Sequence, residues 1–132
     1  MLGYDAAHVL ARLLLDRGQM PVLECTYSRR QQRSSLVQAF ADVPDVQVHV
    51  VEVVVAPDDA VLRFQRRHQA TDLDEQLVHD RALSFPYSDQ ALRLVSAGVS
   101  PEDLAQQITT WLMLRPEPVG RALWVQAGKG WD

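Results

Sequence analysis

The 132-residue sequence contains a single cysteine, Cys25, and has no long apolar run. One cysteine cannot form a disulfide within the chain, so we expect no internal covalent bridge. The sequence has no stretch of about 18 apolar residues, as a membrane-spanning helix would require. The first residues lack the basic segment of a secretion signal and carry Asp5 instead. These absences predict a cytoplasmic protein with no membrane partner.

The chain carries a small negative net charge. Thirteen Lys and Arg residues stand against 17 Asp and Glu residues, which gives a formal net charge of -4. Hydrophobic residues make up 47% of the sequence and charged residues 23%, a composition typical of a globular rather than a disordered protein. An acidic balance argues against a general nucleic-acid-binding surface, so we expect no nucleic-acid partner.

Patterns typical of helices and strands alternate along the chain. Apolar runs predict strands at residues 20–23, 46–55 and 91–95, and periodic segments predict helices before and after each of them. The second half of the valine-rich run 46–55 is almost continuously apolar, as in strands covered on both faces. The alternation therefore predicts an α/β fold with three layers, a parallel sheet and helices on both faces.

The same patterns suggest where the domain begins and ends. We expect an α/β domain over residues 1–115, with a polar lid at about residues 66–89, and an irregular C-terminal extension over residues 116–132. The extension carries Trp124 and Trp131, which predicts that it covers a sheet edge or contacts a partner. One short strand within it is expected at residues 123–126.

Three segments carry a family resemblance: GQMPVLECTYSRRQQR, VEVVVAPDDAVLRFQRR and VSAGVSPEDLAQQITTWL. In this order and spacing they resemble the P-loop kinase-like (AAA-type) ATP-binding proteins, among them gluconate- and shikimate-kinase-like, zeta-toxin-like and chloramphenicol phosphotransferase-like proteins. The likeness covers most of residues 3–114. It implies a P-loop NTPase-like core that transfers the γ-phosphoryl group of ATP, with magnesium, to the hydroxyl of a small-molecule substrate.

The family's phosphate-binding motif, Gly-x-x-x-x-Gly-Lys-Ser/Thr, is missing from this sequence. The one Gly-Lys pair, Gly128-Lys129, is followed by Gly130 and lies at the opposite end of the chain. The resemblance therefore implies a truncated kinase that starts at the family's second helix. Either the gene start is placed too late or the chain is a natural remnant. We expect the chain as it stands to be inactive.

The resemblance assigns four candidate site residues around the first predicted strand end. Glu24 matches an acid that orients substrate or magnesium or accepts the hydroxyl proton, which gives it a catalytic role. Thr26, Arg29 and Arg33 match substrate-binding positions. Purely structural roles remain possible for all four residues. Glu24 and Thr26 also suit turns or helix caps, and the two arginines also suit a solvated helix face.

Two further arginines lead into the predicted lid. By resemblance, Arg63 and Arg67 fold over the nucleotide and neutralise charge on the transferred phosphoryl group. They equally suit the negative end of a helix dipole. ATP and magnesium are implied by the resemblance alone. The four histidines show no metal-ligand spacing, so the residues themselves predict no metal site.

Two other hypotheses compete with the truncated kinase. In the first, the chain is a non-catalytic interaction module or a subunit of a homo-oligomer. Its sheet edge, exposed by the missing strand, would then pair with a partner or a second copy. In the second, the chain is an unrelated small α/β domain and the motif matches are chance. Binding of ATP by this chain at micromolar affinity would contradict the expectation that it is inactive. A strictly monomeric chain with a covered sheet edge would argue against the interaction module.

Overall fold

The computed structural model describes residues 1–67 and 71–130. Its helices are α1 (Leu2–Asp16), α2 (Arg30–Ala39), α3 (Pro57–Arg66), α4 (Glu75–Leu83), α5 (Pro101–Met113) and α6 (Arg121–Ala127), and its strands are β1 (Val51–Val54) and β2 (Leu92–Val95). The chain divides into two compact units. Unit 1 comprises Met1–Val48, Pro86–Gln90 and Pro118–Asp132, and unit 2 comprises His49–Phe85 and Ala91–Glu117. Part of the predicted lid, residues 68–70, and Trp131 lie outside the described residues.

Local sequence signals place two helix starts as predicted. The hydroxyl of Ser100 accepts a hydrogen bond from the backbone N–H of Asp103, 3.1 Å away, and Pro101 occupies the first turn of α5. Pro57 likewise opens α3, with two acidic residues in its first turn. No helix in the described ranges is both long and apolar enough to cross a membrane.

The predicted three-layer parallel sheet with a P-loop NTPase-like core is wrong. Within the described residues the named strands form one parallel sheet of two strands, in which Val51 lies opposite Leu92 and Val54 opposite Val95. Residues 20–23 form no strand, and Pro21 among them cannot donate a backbone hydrogen bond to a ladder. The predicted strand 46–55 shortens to β1, since the Val48 carbonyl accepts from the Val119 N–H instead.

The core of unit 1 forms where α2 packs on α1 and on α6. Its buried apolar side chains are Ala11, Leu36, Phe40, Val119 and Trp124. The segment expected to be irregular therefore supplies a helix and a core tryptophan. The guanidinium of Arg121, at the start of α6, donates to the backbone carbonyls of residues 40, 43 and 46. These bonds and the burial of Trp124 hold α6 in place.

The end of α6 approaches the start of α2 so closely that only glycine fits. A Cβ atom on Gly128 would lie 2.9 Å from both the backbone nitrogen and the Cα of Arg30. The next residue, Lys129, accepts from the Arg30 N–H at 2.8 Å and donates to the Ser28 carbonyl at 2.9 Å. This backbone contact joins two segments that are about 100 residues apart in the sequence.

Unit 2 buries much less apolar surface. Among its described residues, Leu94 of β2 is the one buried apolar side chain. Leu92 and Leu94 line a groove with Trp111 of α5, which places that helix on one face of β2. Several large apolar side chains of this unit are exposed: Val53, Leu62, Leu83, Val95, Met113 and Leu114. The small sheet thus retains uncovered apolar surface.

Candidate functional site

The six candidate residues fall in different units. Glu24, Thr26, Arg29 and Arg33 belong to unit 1, and the remaining two, on α3 and at its end, belong to unit 2. Glu24 and Thr26 are exposed, in the segment without regular structure that precedes α2. Their side chains make no hydrogen bond to another described residue. The catalytic role of Glu24 and the substrate-binding role of Thr26 stay predictions.

The two candidate arginines of α2 differ sharply in environment. Arg29 precedes the first turn, where its backbone N–H donates to the side-chain oxygen of Gln32, 3.0 Å away, and its own side chain is exposed. Arg33 is only 1% exposed. Its guanidinium donates to the backbone carbonyls of Tyr27 at 2.7 Å, Trp124 at 2.8 Å and Pro86 at 2.7 Å. Those three bonds, from segments far apart in the chain, indicate that Arg33 stabilises the interior of unit 1.

Arg63 and Arg67 lie at the last turn and the C-terminal end of α3, and both are exposed. A guanidinium nitrogen of Arg63 donates to the hydroxyl of Ser96, 3.0 Å away. That hydroxyl in turn donates to the carbonyl of Val54, 3.2 Å away. Arg63 therefore lies at the carboxyl ends of both strands, where ligands commonly bind in open α/β sheets.

Glu24 is the one carboxylate among the six candidate residues. Magnesium requires oxygen ligands in a near-octahedral arrangement, usually with one or two carboxylates. The described ranges contain no group of three or more His, Cys, Asp or Glu side chains that could hold a metal ion. Arg63 is hydrogen-bonded to a serine, and Arg33 is enclosed by protein carbonyls. ATP and magnesium remain predictions of the resemblance, and no catalytic step is derived from these residues.

The most elaborate side-chain network in unit 1 was not predicted. His8 is 1% exposed, and its Nδ1 and Nε2 atoms each lie 2.9 Å from a hydroxyl, that of Ser35 and that of Tyr27 respectively. The Ser35 hydroxyl donates to the Asp5 carboxylate at 2.7 Å, so it has no proton left for the imidazole. His8 must then donate from Nδ1 to Ser35 and accept at Nε2 from Tyr27.

Burial shifts the pKa values of His8 and Tyr27 in this network. It lowers the pKa of His8, against a smaller opposing effect of the Asp5 charge. It also raises the pKa of Tyr27, and the neighbouring Cys25 thiol acts in the same direction. Tyr27 has a φ of 47°, in the left-handed region that side chains rarely adopt. Burial in this network therefore favours the neutral forms of His8 and Tyr27.

A sequence signal for this network exists but is easily overlooked. Tyr4, His8, Ala11 and Leu15 recur at spacings of three and four, which places His8 on the same helix face as the apolar residues. That pattern predicts a buried histidine. Its partners Tyr27 and Ser35 are 19 and 27 residues away, and nothing in the local sequence identifies them.

The outer edge of β1 is the second notable feature, and it lies in unit 2. The N–H of Leu92 donates to the carbonyl of Val50 and the N–H of Ser96 to the carbonyl of Val54, so the even-numbered residues of this segment face β2. Val51 and Val53 then direct their backbone N–H and C=O groups away from the sheet. No described segment makes a backbone hydrogen bond to this outer side of β1.

The outer edge of β1 has few of the usual protections, since its one charged residue, Glu52, is buried. Proteins commonly blunt an edge with charged side chains, proline or a bulge. Val51 and Val53 are apolar, and the Val53 side chain is 53% exposed. β2 differs in that its one charged residue, Arg93, is partly exposed, 3.5 Å from the carboxylate of the buried Glu52.

No protein-family model, no curated protein and no solved structure matches this chain.

Proposed function

We propose that this chain is an interaction module that self-associates by adding the β1 strand of a second copy to the outer edge of its own β1. The observation that carries the proposal is the row of outward-facing backbone groups at Val51 and Val53, with the exposed Val53 side chain beside it. Unpaired strand edges are templates for pairing with another chain.

The size of the sheet gives independent support. Parallel sheets normally occur with both faces covered, and an isolated pair of strands is marginal in water. Here each strand has four residues, and Val53 and Val95 are more than half exposed. Pairing two copies through β1 would give a sheet of four strands. It would also remove part of the exposed valine surface from water.

A second copy is a better occupant than an unrelated partner because the edge is self-complementary. Strands related by a two-fold axis run antiparallel, and each offers the other the same row of donors, acceptors and valines. β2 carries a partly exposed charge, Arg93, whereas the one charged residue of β1, Glu52, is buried. The proposal needs no cofactor, and the cytoplasmic compartment stays a prediction from the sequence.

The test is sedimentation of the whole chain over a range of concentrations. An interface of one strand from each copy is small, so we expect a dissociation constant of about 1 to 100 µM. Replacing Val53 with lysine places a charge on the edge and should weaken the dimer at least tenfold. The matched control is Val95→Lys, a valine of similar exposure on the other strand, which should leave the dimer intact.

The outcomes separate the proposal from its rivals. A parent chain that stays monomeric up to about 500 µM, well above the expected dissociation constant, would refute self-association. A dimer lost in Val95→Lys and kept in Val53→Lys would assign the interface to the β2 edge instead. The predicted transfer of phosphoryl groups is tested separately, by titrating ATP and magnesium against the parent chain.

A further inference from the structure

The hydrogen-bond pattern of β1 restricts how a second copy can pair with it; this inference rests on the proposed self-association. In antiparallel strands, each hydrogen-bonded pair consists of two residues that exchange N–H and C=O bonds. Both members must direct those groups to the outer edge, and in β1 these are the odd-numbered residues Val51 and Val53. The two-fold axis of a β1 pair therefore passes through Val51, Glu52 or Val53.

An axis through Glu52 is the least favourable of the three. It would place Glu52 directly opposite Glu52 of the second copy, as a non-hydrogen-bonded pair with Cα atoms about 4.5 Å apart. Glu52 is 8% exposed, so water would screen the repulsion between the two carboxylates poorly. Like charges directly opposite each other destabilise a strand pair.

The remaining two registers differ in what they place opposite the valines. An axis through Val51 sets Val53 against His49 and draws the segment before β1 into the ladder. An axis through Val53 sets Val53 against its own copy, Val51 against Val55 and Glu52 against Val54. Every odd-numbered residue on that face of the sheet is then a valine, and the half-exposed Val53 side chains meet at the centre.

We propose that the dimer has its two-fold axis at Val53, so that the strand pair spans residues 51–55 of each copy. This register uses the whole segment between β1 and α3, because Pro57 begins that helix and cannot donate a further ladder bond. It keeps each Glu52 beside Arg93 of its own chain, where the two groups lie 3.5 Å apart. The pair β2-β1 of one copy continues into β1-β2 of the other.

Disulfide crosslinking of single-cysteine variants tests the register. In a Cys25→Ser background, Val53→Cys should form an intermolecular disulfide with diamide as oxidant, because facing Cα atoms in the pair are about 5.5 Å apart. Val51→Cys should not, since its copy lies four residues further along the strand, about 13 Å away. Val95→Cys, on the other strand, reports crosslinking by random collision. We expect at least tenfold more dimer from Val53→Cys than from either control on non-reducing gels.

Each other outcome overturns a defined part of the argument. Crosslinking of Val51→Cys in place of Val53→Cys would move the axis to Val51. Crosslinking only in an equimolar mixture of those two variants would move it to Glu52. A parent that sediments as a dimer while no variant crosslinks would refute the register and leave self-association standing. A monomeric parent with no crosslinking above the Val95→Cys level would refute both.

Discussion

Replacing Arg33 with methionine should strongly destabilise unit 1. Methionine replaces the stem of the arginine side chain and removes the guanidinium, so the backbone carbonyls of Tyr27, Pro86 and Trp124 lose their donors at once. A buried carbonyl left without a partner costs about 1–3 kcal/mol. The cation–π contact between Arg33 and the Trp124 ring, 5.3 Å from its centroid, is lost as well.

The net effect is smaller than the sum of these losses. Two of the three bonds are only partly buried, so water can reach part of the exposed carbonyl surface. Methionine also relieves the cost of holding a charge in the interior. We therefore expect a loss of about 3–5 kcal/mol in the free energy of unfolding, a large share of the roughly 5–15 kcal/mol typical of a domain. The midpoint of thermal unfolding should fall by roughly 10–20 °C.

Urea unfolding followed by tryptophan fluorescence measures this change, because Trp124 is 2% exposed and touches the mutated side chain. Arg63→Met is the matched control. Its guanidinium is exposed, and its one side-chain hydrogen bond among the described residues is to the Ser96 hydroxyl, so the expected change is within about 0.5 kcal/mol. Equal stabilities for the two variants would refute the structural role assigned to Arg33.

Two further predictions concern unit 1. Because burial lowers the pKa of His8, the unfolded chain binds a proton there more readily than the folded chain does. The contribution of neutral His8 to stability is complete above its unfolded pKa of about 6.5 and is lost as pH falls below that value. Urea titrations between about pH 8 and 5 should therefore show a steeper loss of unfolding free energy for the parent than for His8→Gln. Parallel curves for the two proteins would contradict this prediction. Gly128→Ala should cost about 1–3 kcal/mol, since the new Cβ would lie 2.9 Å from the Arg30 backbone. Gly3→Ala, inside α1 with nothing within 4 Å, should instead add about 0.5–1 kcal/mol, and thermal unfolding that ranks the two variants alike would refute this steric argument.

Local signals in the sequence predicted individual elements but not their assembly. The Ser100-Pro101 start of α5 and the valine-rich strand each depend on a few neighbouring residues, and both are present in the structure. Residues 20–23 have the same apolar character as a strand, yet they join no ladder. Pairing depends on hydrogen-bond partners elsewhere in the chain, which the composition of a segment does not specify.

Arg33 shows the same limit for the candidate site. In the sequence it belongs to a polar run, RRQQRSS, that is typical of a solvated helix face. Its three carbonyl partners come from the loop before α2, from the segment near Pro86 and from α6. Only the folded chain brings these segments together, so no local pattern could distinguish this buried arginine from its exposed neighbour Arg29.

The two units differ in how completely they bury their apolar side chains. Unit 1 encloses polar side chains as well as apolar ones, and His8 and Arg33 find donors or acceptors inside it. Unit 2 has one buried apolar side chain among its described residues, and it exposes valines on both of its strands. A small parallel sheet gains most from added strands or covering surface. No described segment makes a backbone hydrogen bond to the outer side of β1, and Val53 and Val95 are more than half exposed. Association should therefore stabilise unit 2, through the edge of β1, more than it stabilises unit 1. Mutations at that edge should change assembly more than folding.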